Sequence, residues 1–262
     1  MKNKLFTTLI LALTVIAVTW TCAAATGSRW SKIEKSGRIT VGNCPEYPPF
    51  SFRNTSGRVE GFDTDFAHAL GRALGVEVVM KDTAWEGLMA GMKKGDHDII
   101  ISCMSPEEAT QASKSVNMSK PYYSLSEIIV TRADITDIRA KEDLAGRVVG
   151  VQANCTSEVA VESLAEMGII VKDIRRYNRN SEALIDLKNK RVDAVVVGFA
   201  YAATKVKDST DLKIINDPVR SVDIVVVLDH GENALTQKIN QAIDTVKSNG
   251  EFDKIHNKWL AL

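Results

Sequence analysis

The sequence predicts an α/β protein organised as two units of roughly 100 residues each. Three observations carry that expectation. Short Val- and Ile-rich runs alternate with amphipathic stretches, the 262 residues are 45% hydrophobic and 25% charged as in ordinary globular proteins, and the strand-helix theme restarts after Lys141. Lys plus Arg and Asp plus Glu each number 33, for a formal net charge of zero. Such a chain projects no long-range field toward nucleic acid or an anionic membrane, so nucleic-acid binding is not expected and partners must be recognised locally.

At the N-terminus, Lys2 and Lys4 precede an apolar run from Leu5 to Trp20 that is too short and too Thr-rich for a membrane span. The small residues Ala23-Ala24-Ala25 follow. Residues 1–25 therefore read as a cleavable signal peptide, with the periplasm as the expected destination. A lipoprotein anchored through Cys22 is the competing reading, but Thr19-Trp20-Thr21 lacks the Leu and small residues of a lipobox. Cleavage leaves three cysteines, Cys44, Cys103 and Cys155, and an odd number cannot all pair within one exported chain.

Beyond the signal, strands are expected at Ile39–Gly42, Val76–Met80, Ile99–Ser102, Ile128–Thr131, Val148–Val151, Val192–Val197 and Ile224–Leu228. Each is a short β-branched run of the kind that fills buried parallel sheets. The stretches Asp63–Leu74, Trp85–Lys93, Thr156–Met167, Ser181–Lys190 and Leu235–Ser248 space apolar residues three or four apart and read as helices. Ser105-Pro106-Glu107-Glu108 is a capping box with Pro at the first helical position, and Asn154-Cys155-Thr156-Ser157 reads as a second helix start. His68, His97, His230 and His256 are expected to be solvated or structural, and neither a phosphate loop nor a nucleophile elbow is present.

The motif Gly61-Phe62-Asp63-Thr64-Asp65-Phe66-Ala67, with Leu70, Gly71 and Leu74 after it, resembles the signature of family 3 bacterial extracellular solute-binding proteins, the periplasmic receptors of polar amino-acid ABC transporters. Further pieces agree in order: Tyr47-Pro48-Pro49-Phe50, Asp98–Ser102, Ser119-Lys120-Pro121-Tyr122-Tyr123, Gly150-Val151-Gln152, Gly250-Glu251-Phe252 and Lys258-Trp259-Leu260. The resemblance implies a two-lobed periplasmic binding protein fold with two crossing hinge strands. Lobe 1 would comprise 27–125 plus 223–262, lobe 2 would comprise 126–222, and the crossings would lie near Ser124–Ser126 and Val222–Val225. A small solute would bind in the cleft and be delivered to an ABC permease by a monomeric protein. The same resemblance leaves open a sensing module for a chemoreceptor or kinase, and an enzyme similar to cyclohexadienyl dehydratases.

The implied contacts are Cys44, Tyr47, Trp85, Cys103, Ser105, Cys155 and Thr156. Tyr47 and Trp85 would be aromatic walls, with a core position as the lesser reading of Trp85, and Ser105 reads equally well as a helix cap alone. The family's amino-acid anchors are missing. No Arg stands between Ser102 and Lys114 to pair with a ligand carboxylate, Thr110 or Ala112 falling where it would be, and Gly198 replaces the Asp that would meet the ammonium. A standard amino acid is therefore not the expected ligand. All three mature cysteines instead fall at cleft positions, two of them near helix N-termini that favour thiolate. This makes Cys44, Cys103 and Cys155 a candidate site for a soft metal or metalloid assembled on closure. The alternatives are a Cys44–Cys103 disulfide, or three separate thiols lining a pocket for an uncharged solute.

Overall fold

The computed structural model describes residues 28–207 and 209–261, so the expected signal peptide and Cys22 lie outside the described residues. The chain opens with α1 (Arg29–Ser36) and β1 (Arg38–Asn43), followed by a small antiparallel sheet of β2 (Glu46–Tyr47), β3 (Ser51–Arg53) and β4 (Val59–Glu60). Next come α2 (Phe62–Leu74), β5 (Glu77–Asp82), a 3₁₀ turn at Trp85–Gly87 running into α3 (Leu88–Lys94), β6 (Ile99–Met104), α4 (Pro106–Ala112) and β7 (Val116–Met118). The long β8 (Tyr123–Arg132) leads to β9 (Val148–Gln152), α5 (Thr156–Ser163), β10 (Asp173–Tyr177), α6 (Asn180–Lys188), β11 (Ala194–Gly198) and α7 (Phe199–Val206). β12 (Leu212–Asp229), α8 (Asn233–Ser248) and α9 (Glu251–Trp259) complete the chain.

The strands join in the order β10-β9-β11-β8-β12-β6-β1-β5, with β7 also on β12. β12 is the common member: its first part pairs antiparallel with β8 from Leu212 to Ile224, and its last part pairs with β6 and β7 from Val225 to Asp229. Burial follows the same division. One pair of apolar clusters holds β1, β6, α2, α3, α8 and the C-terminal end of β12, and another holds β9, β11, α5, α6 and the start of β12. Tyr47 packs against both sides.

The expected α/β class is present, with two differences. β8 and β12 run antiparallel to their neighbours rather than parallel. β12 also extends 18 residues, far beyond Ile224–Leu228, because its crossing portion alternates buried and exposed residues through Asn216, Asp217, Arg220 and Asp223 and so lacks a continuous apolar run. Besides α1 and the short strands β2, β3 and β4, the elements outside the expected stretches include the edge strand β10 (DIRRY), the three-residue β7 and α7.

β6 is buried along its whole length, and the loop that feeds it is locked by His97. That ring is 1% exposed and its Nε2 lies 2.9 Å from the Leu88 carbonyl. It occupies the space beneath two glycines, so a Cβ on Gly91 would lie 2.6 Å from its Cε1 and one on Gly42 would lie 2.5 Å from its Cδ2. Gly to Ala within a helix ordinarily stabilises by about 1 kcal/mol. At Gly91 in α3 the sign should reverse, and Gly91→Ala is expected to cost about 1–3 kcal/mol in urea unfolding. A gain in stability would show that the imidazole moves aside freely.

Candidate ligand site

A cavity of about 50 Å³ lies between the two sets of cores. One water needs about 10–15 Å³ on the same measure, so the interior takes a few small groups. Cys44, just past β1, Tyr47, Trp85, Cys103, Cys155 and Thr156 all line it. Ser105 does not. It is fully buried in the cap of α4, where its hydroxyl accepts from Glu108 N at 3.2 Å and its own N donates to Glu108 Oε2 at 2.7 Å.

The cap shows which side chain of the 102–114 segment reaches the cleft. Thr110 and Ala112 are exposed, whereas Glu108 is 4% exposed and lines the cavity. Neither Thr110 nor Ala112, the residues expected where the anchor would stand, lines the cavity, and the side chain of α4 that does so is a carboxyl. Its second oxygen, Oε1, accepts from the backbone N of Thr156 at 2.7 Å. That amide belongs to the N-terminus of α5 on the opposite wall, the kind of positive helix end that would otherwise receive a ligand anion.

Gly198 is explained by packing. A Cβ there would collide with Tyr47 Oη and lie 2.9 Å from Leu125 Cδ1. Tyr47 holds its place by stacking on Tyr201 (centroids 5.0 Å apart, interplanar angle 9°) and on Phe50 (5.7 Å, 19°). The carboxyl missing from position 198 reappears one strand over. Glu127 on β8 is the register partner of Gly198, is 1% exposed, lines the cavity and accepts a short hydrogen bond from Thr156 Oγ1. Thr156 thus donates its N–H to one buried carboxyl and its hydroxyl to another.

Sequence reading missed Glu108 and Glu127, together with Gln152, Arg179 and Asn180, which also line the cavity. Glu108 was visible only as the third position of a cap. Glu127 had a signal, being the lone acid in Leu125–Val130. At the rim Arg179 pairs with Glu46 and, at 3.0 Å, with Glu86. Arg220 reaches Glu107 at 2.7 Å, so ion pairs from both walls meet across the cleft.

Burial pushes Glu108 up to about 8 against its hydrogen bonds from Ser105 and Thr156, and pushes Glu127 up to about 7. Asp63, beneath Cys103 and bonded by Tyr122 Oη at 2.8 Å, is raised to about 7 by the same cause.

The thiols do not form the expected metal site. Among the described residues no group of three His, Cys, Asp or Glu side chains is arranged to hold a metal ion. All three cysteines are free, so the Cys44–Cys103 disulfide is not formed either. Nor is thiolate favoured. Burial raises Cys44 to about 11 and raises Cys103 and Cys155 well above the ordinary thiol value, with Asp63, Glu108 and Glu127 adding to the rise at Cys103 and Glu108 and Glu127 at Cys155. The positive end of α5 is engaged by Glu108 and is not left to Cys155. Cys103 sits within β6 at φ 49, a strained left-handed backbone, and not at a helix end.

A two-lobed α/β frame with a small cavity between the lobes is the architecture of solute-binding proteins. The model of the bacterial extracellular solute-binding proteins, family 3, matches residues 39–261, and the chain belongs to that family. It is 27% identical over 254 residues to the arginine-binding extracellular protein ArtP of Bacillus subtilis (strain 168), covering 96% of this chain and 97% of that one. Among solved structures it is similar to the substrate-binding protein of an ABC uptake transporter from Streptococcus pneumoniae with bound histidine (27% identity, TM-score 0.79, 90% of this chain and 97% of that chain). It is also similar to an ancestral amino-acid-binding protein described as a precursor of cyclohexadienyl dehydratase (30% identity, TM-score 0.76, 89% and 99%).

Two outcomes follow from the site. The carboxyls of Glu108, Glu127 and Asp63 hold protons more tightly folded than unfolded. The stability this contributes is complete below the unfolded carboxyl range and is lost as pH rises through about 7–8. His97, lowered by burial, opposes this trend only below its unfolded value of 6.5. Between about pH 6.5 and 8.5 the unliganded protein should therefore lose on the order of 3 kcal/mol, read as a falling Tm, and Glu108→Gln should flatten the slope. A Tm that climbs over this interval would contradict the buried carboxyls. Separately, Gly198→Ala should destabilise by about 1–3 kcal/mol, and less so in a Tyr47→Phe background; an additive double-mutant cycle would show that the hydroxyl is not what excludes a side chain.

Proposed function

We propose that this chain captures a small solute between its lobes and presents the closed form to an ABC importer, and that the solute is not a standard amino acid. The observation that carries the second statement is the hydrogen bond from Thr156 N at the start of α5 to the Glu108 carboxyl. An amino acid would have to expel that carboxyl from the helix end and then place its own carboxylate beside Glu108 and Glu127, while the guanidinium of the lining, Arg179, is already paired with Glu46 and Glu86. Leaving buried charges unpaired in this way costs several kcal/mol.

In this reading residues 1–25 direct export. Lobe 1 is 27–125 with 223–262, lobe 2 is 126–222, and the hinge lies where Ser124–Ser126 pairs with Ser221–Asp223. Tyr47, Trp85 and Leu125 supply the apolar walls, and the three thiols fill the remaining surface as small weakly polar groups. The named relatives bind arginine or histidine, and the family frame supports uptake as the role. A dehydratase-like activity is not favoured, because it would call for a carboxylate-binding Arg, and α4 lines the cavity with Glu108.

Calorimetry with the twenty standard amino acids is expected to give dissociation constants of about 1 mM or weaker. Micromolar binding of any one of them would sink the proposed ligand restriction. Small-angle scattering should show the protein contract with its true solute.

A further inference from the structure

The cavity wall carries hydrogen-bond acceptors that the protein does not satisfy. Glu127 is 1% exposed, and its Oε2 is buried without a partner. Asn180 is 6% exposed; its Nδ2 donates to Gln152 Oε1 at 2.5 Å while its Oδ1 is buried and unpartnered. Both residues line the cavity, and both orphan atoms are oxygens. Leaving such an atom buried and unpaired costs about 1–3 kcal/mol, which a ligand bringing N–H donors recovers.

Charge points the same way. The groups facing Glu108 and Glu127 are each other, the thiols of Cys103 and Cys155 and the phenol of Tyr47, with Asp63 behind Cys103. None of them is a cation. Arg179 at the rim meets two carboxylates, Glu46 and Glu86, so the rim group carries one negative charge in excess. Thr156 bonds both Glu108 and Glu127, which brings the two carboxyls together over one small volume. Trp85 in the lining adds an aromatic ring of the kind that favours a positive charge.

We propose that the solute is a small organic cation of the primary-ammonium or guanidinium type, with no carboxylate, held between Glu108 and Glu127 with Asn180 Oδ1 as a further acceptor. The inference rests on the reading of the chain as a solute-binding protein and names the class of solute. Binding is coupled to proton loss: each carboxyl that ionises against the cation passes its proton to the buffer, and no other bond is made or broken. Affinity for the cation therefore rises with pH as the protons of the raised carboxyls are lost, from about 6 to 8.

The test is calorimetry on the mature protein with methylguanidinium and propylammonium chlorides, against neutral propionamide, zwitterionic L-arginine, KCl and MgCl₂, in two buffers of different ionisation enthalpy. One of the two organic cations should bind at least about tenfold more tightly than every comparator, release protons, and gain affinity from pH 6 to 8. Glu127→Gln should lose about tenfold or more together with the proton release. Glu108→Gln, whose single acceptor oxygen can keep the cap to Ser105 N but not the second bond from Thr156 N, should do the same without altering the circular dichroism spectrum. Glu127→Gln leaves both of those bonds in place and so separates loss of the carboxyl charge from loss of the wall contact. The inference is overturned if propionamide, arginine or an inorganic cation binds as tightly, if neither organic cation binds at ~10 mM, or if both carboxamide variants retain full affinity. Should it fail while a periplasmic extract still makes the protein contract in scattering, the solute-binding reading stands. If no extract fraction contracts it, that reading fails as well.

Discussion

The site depends on one buried carboxyl placed at the start of a helix it does not belong to. Glu108 closes the cap of its own helix through Ser105 N and, with its other oxygen, takes the first free amide of α5 at Thr156. One side chain thus fixes the start of α4, joins the walls of the cleft and occupies the strongest anion position there. A carboxyl buried this deeply is tolerated because both oxygens are hydrogen-bonded, and its raised pKa shows that desolvation still outweighs those bonds. The other departures in the cleft are consistent with this arrangement: Tyr47 fills the space over Gly198, and the carboxyl that might have stood there is carried by Glu127 on the neighbouring strand.

Much of the frame was legible because it is written in apolar periodicity. The buried strands β1, β6, β9 and β11 and the helices α2, α5, α6 and α8 fall on the expected stretches to within a few residues. What escaped was structure held by hydrogen bonding without an apolar signal. The crossing part of β12 is polar because it bridges two cores and is half exposed, and β10 is an edge strand with Asp173, Arg175 and Arg176 exposed. Neither has the pattern on which sequence reading depends.

The site was legible in position and much less so in chemistry. Six of the seven expected contact residues line the cavity, since motif order fixes which loop ends meet at the strand termini. The cavity carboxyl was hidden because capping and cavity lining use the same residue. In the sequence, Glu at the third position of a capping box is fully explained by the cap, and only the geometry shows that its second oxygen points across the cleft. The thiols misled in the opposite direction. Their convergence on the cleft is real, but a thiolate needs positive surroundings, and here each sulfur is desolvated and set among carboxyls.

Those two observations together give the cysteines a physical role that needs no metal. A thiol is small and weakly polar, and it neither satisfies the acceptors of Glu127 and Asn180 nor neutralises a carboxylate. A wall of Cys44, Cys103 and Cys155 therefore adds no cation and little polarity to the burial that pushes Glu108 up to about 8 and Glu127 up to about 7. Serines at the same places would donate stronger hydrogen bonds, stabilise the carboxylates and draw water into the cavity, and lysine or arginine would fix the carboxylates permanently. In the proposed mode of binding, the proton is what the solute displaces. A cation supplies the charge and the donors that the protein withholds, and the low polarity of the thiols makes that exchange selective for ligands that bring both.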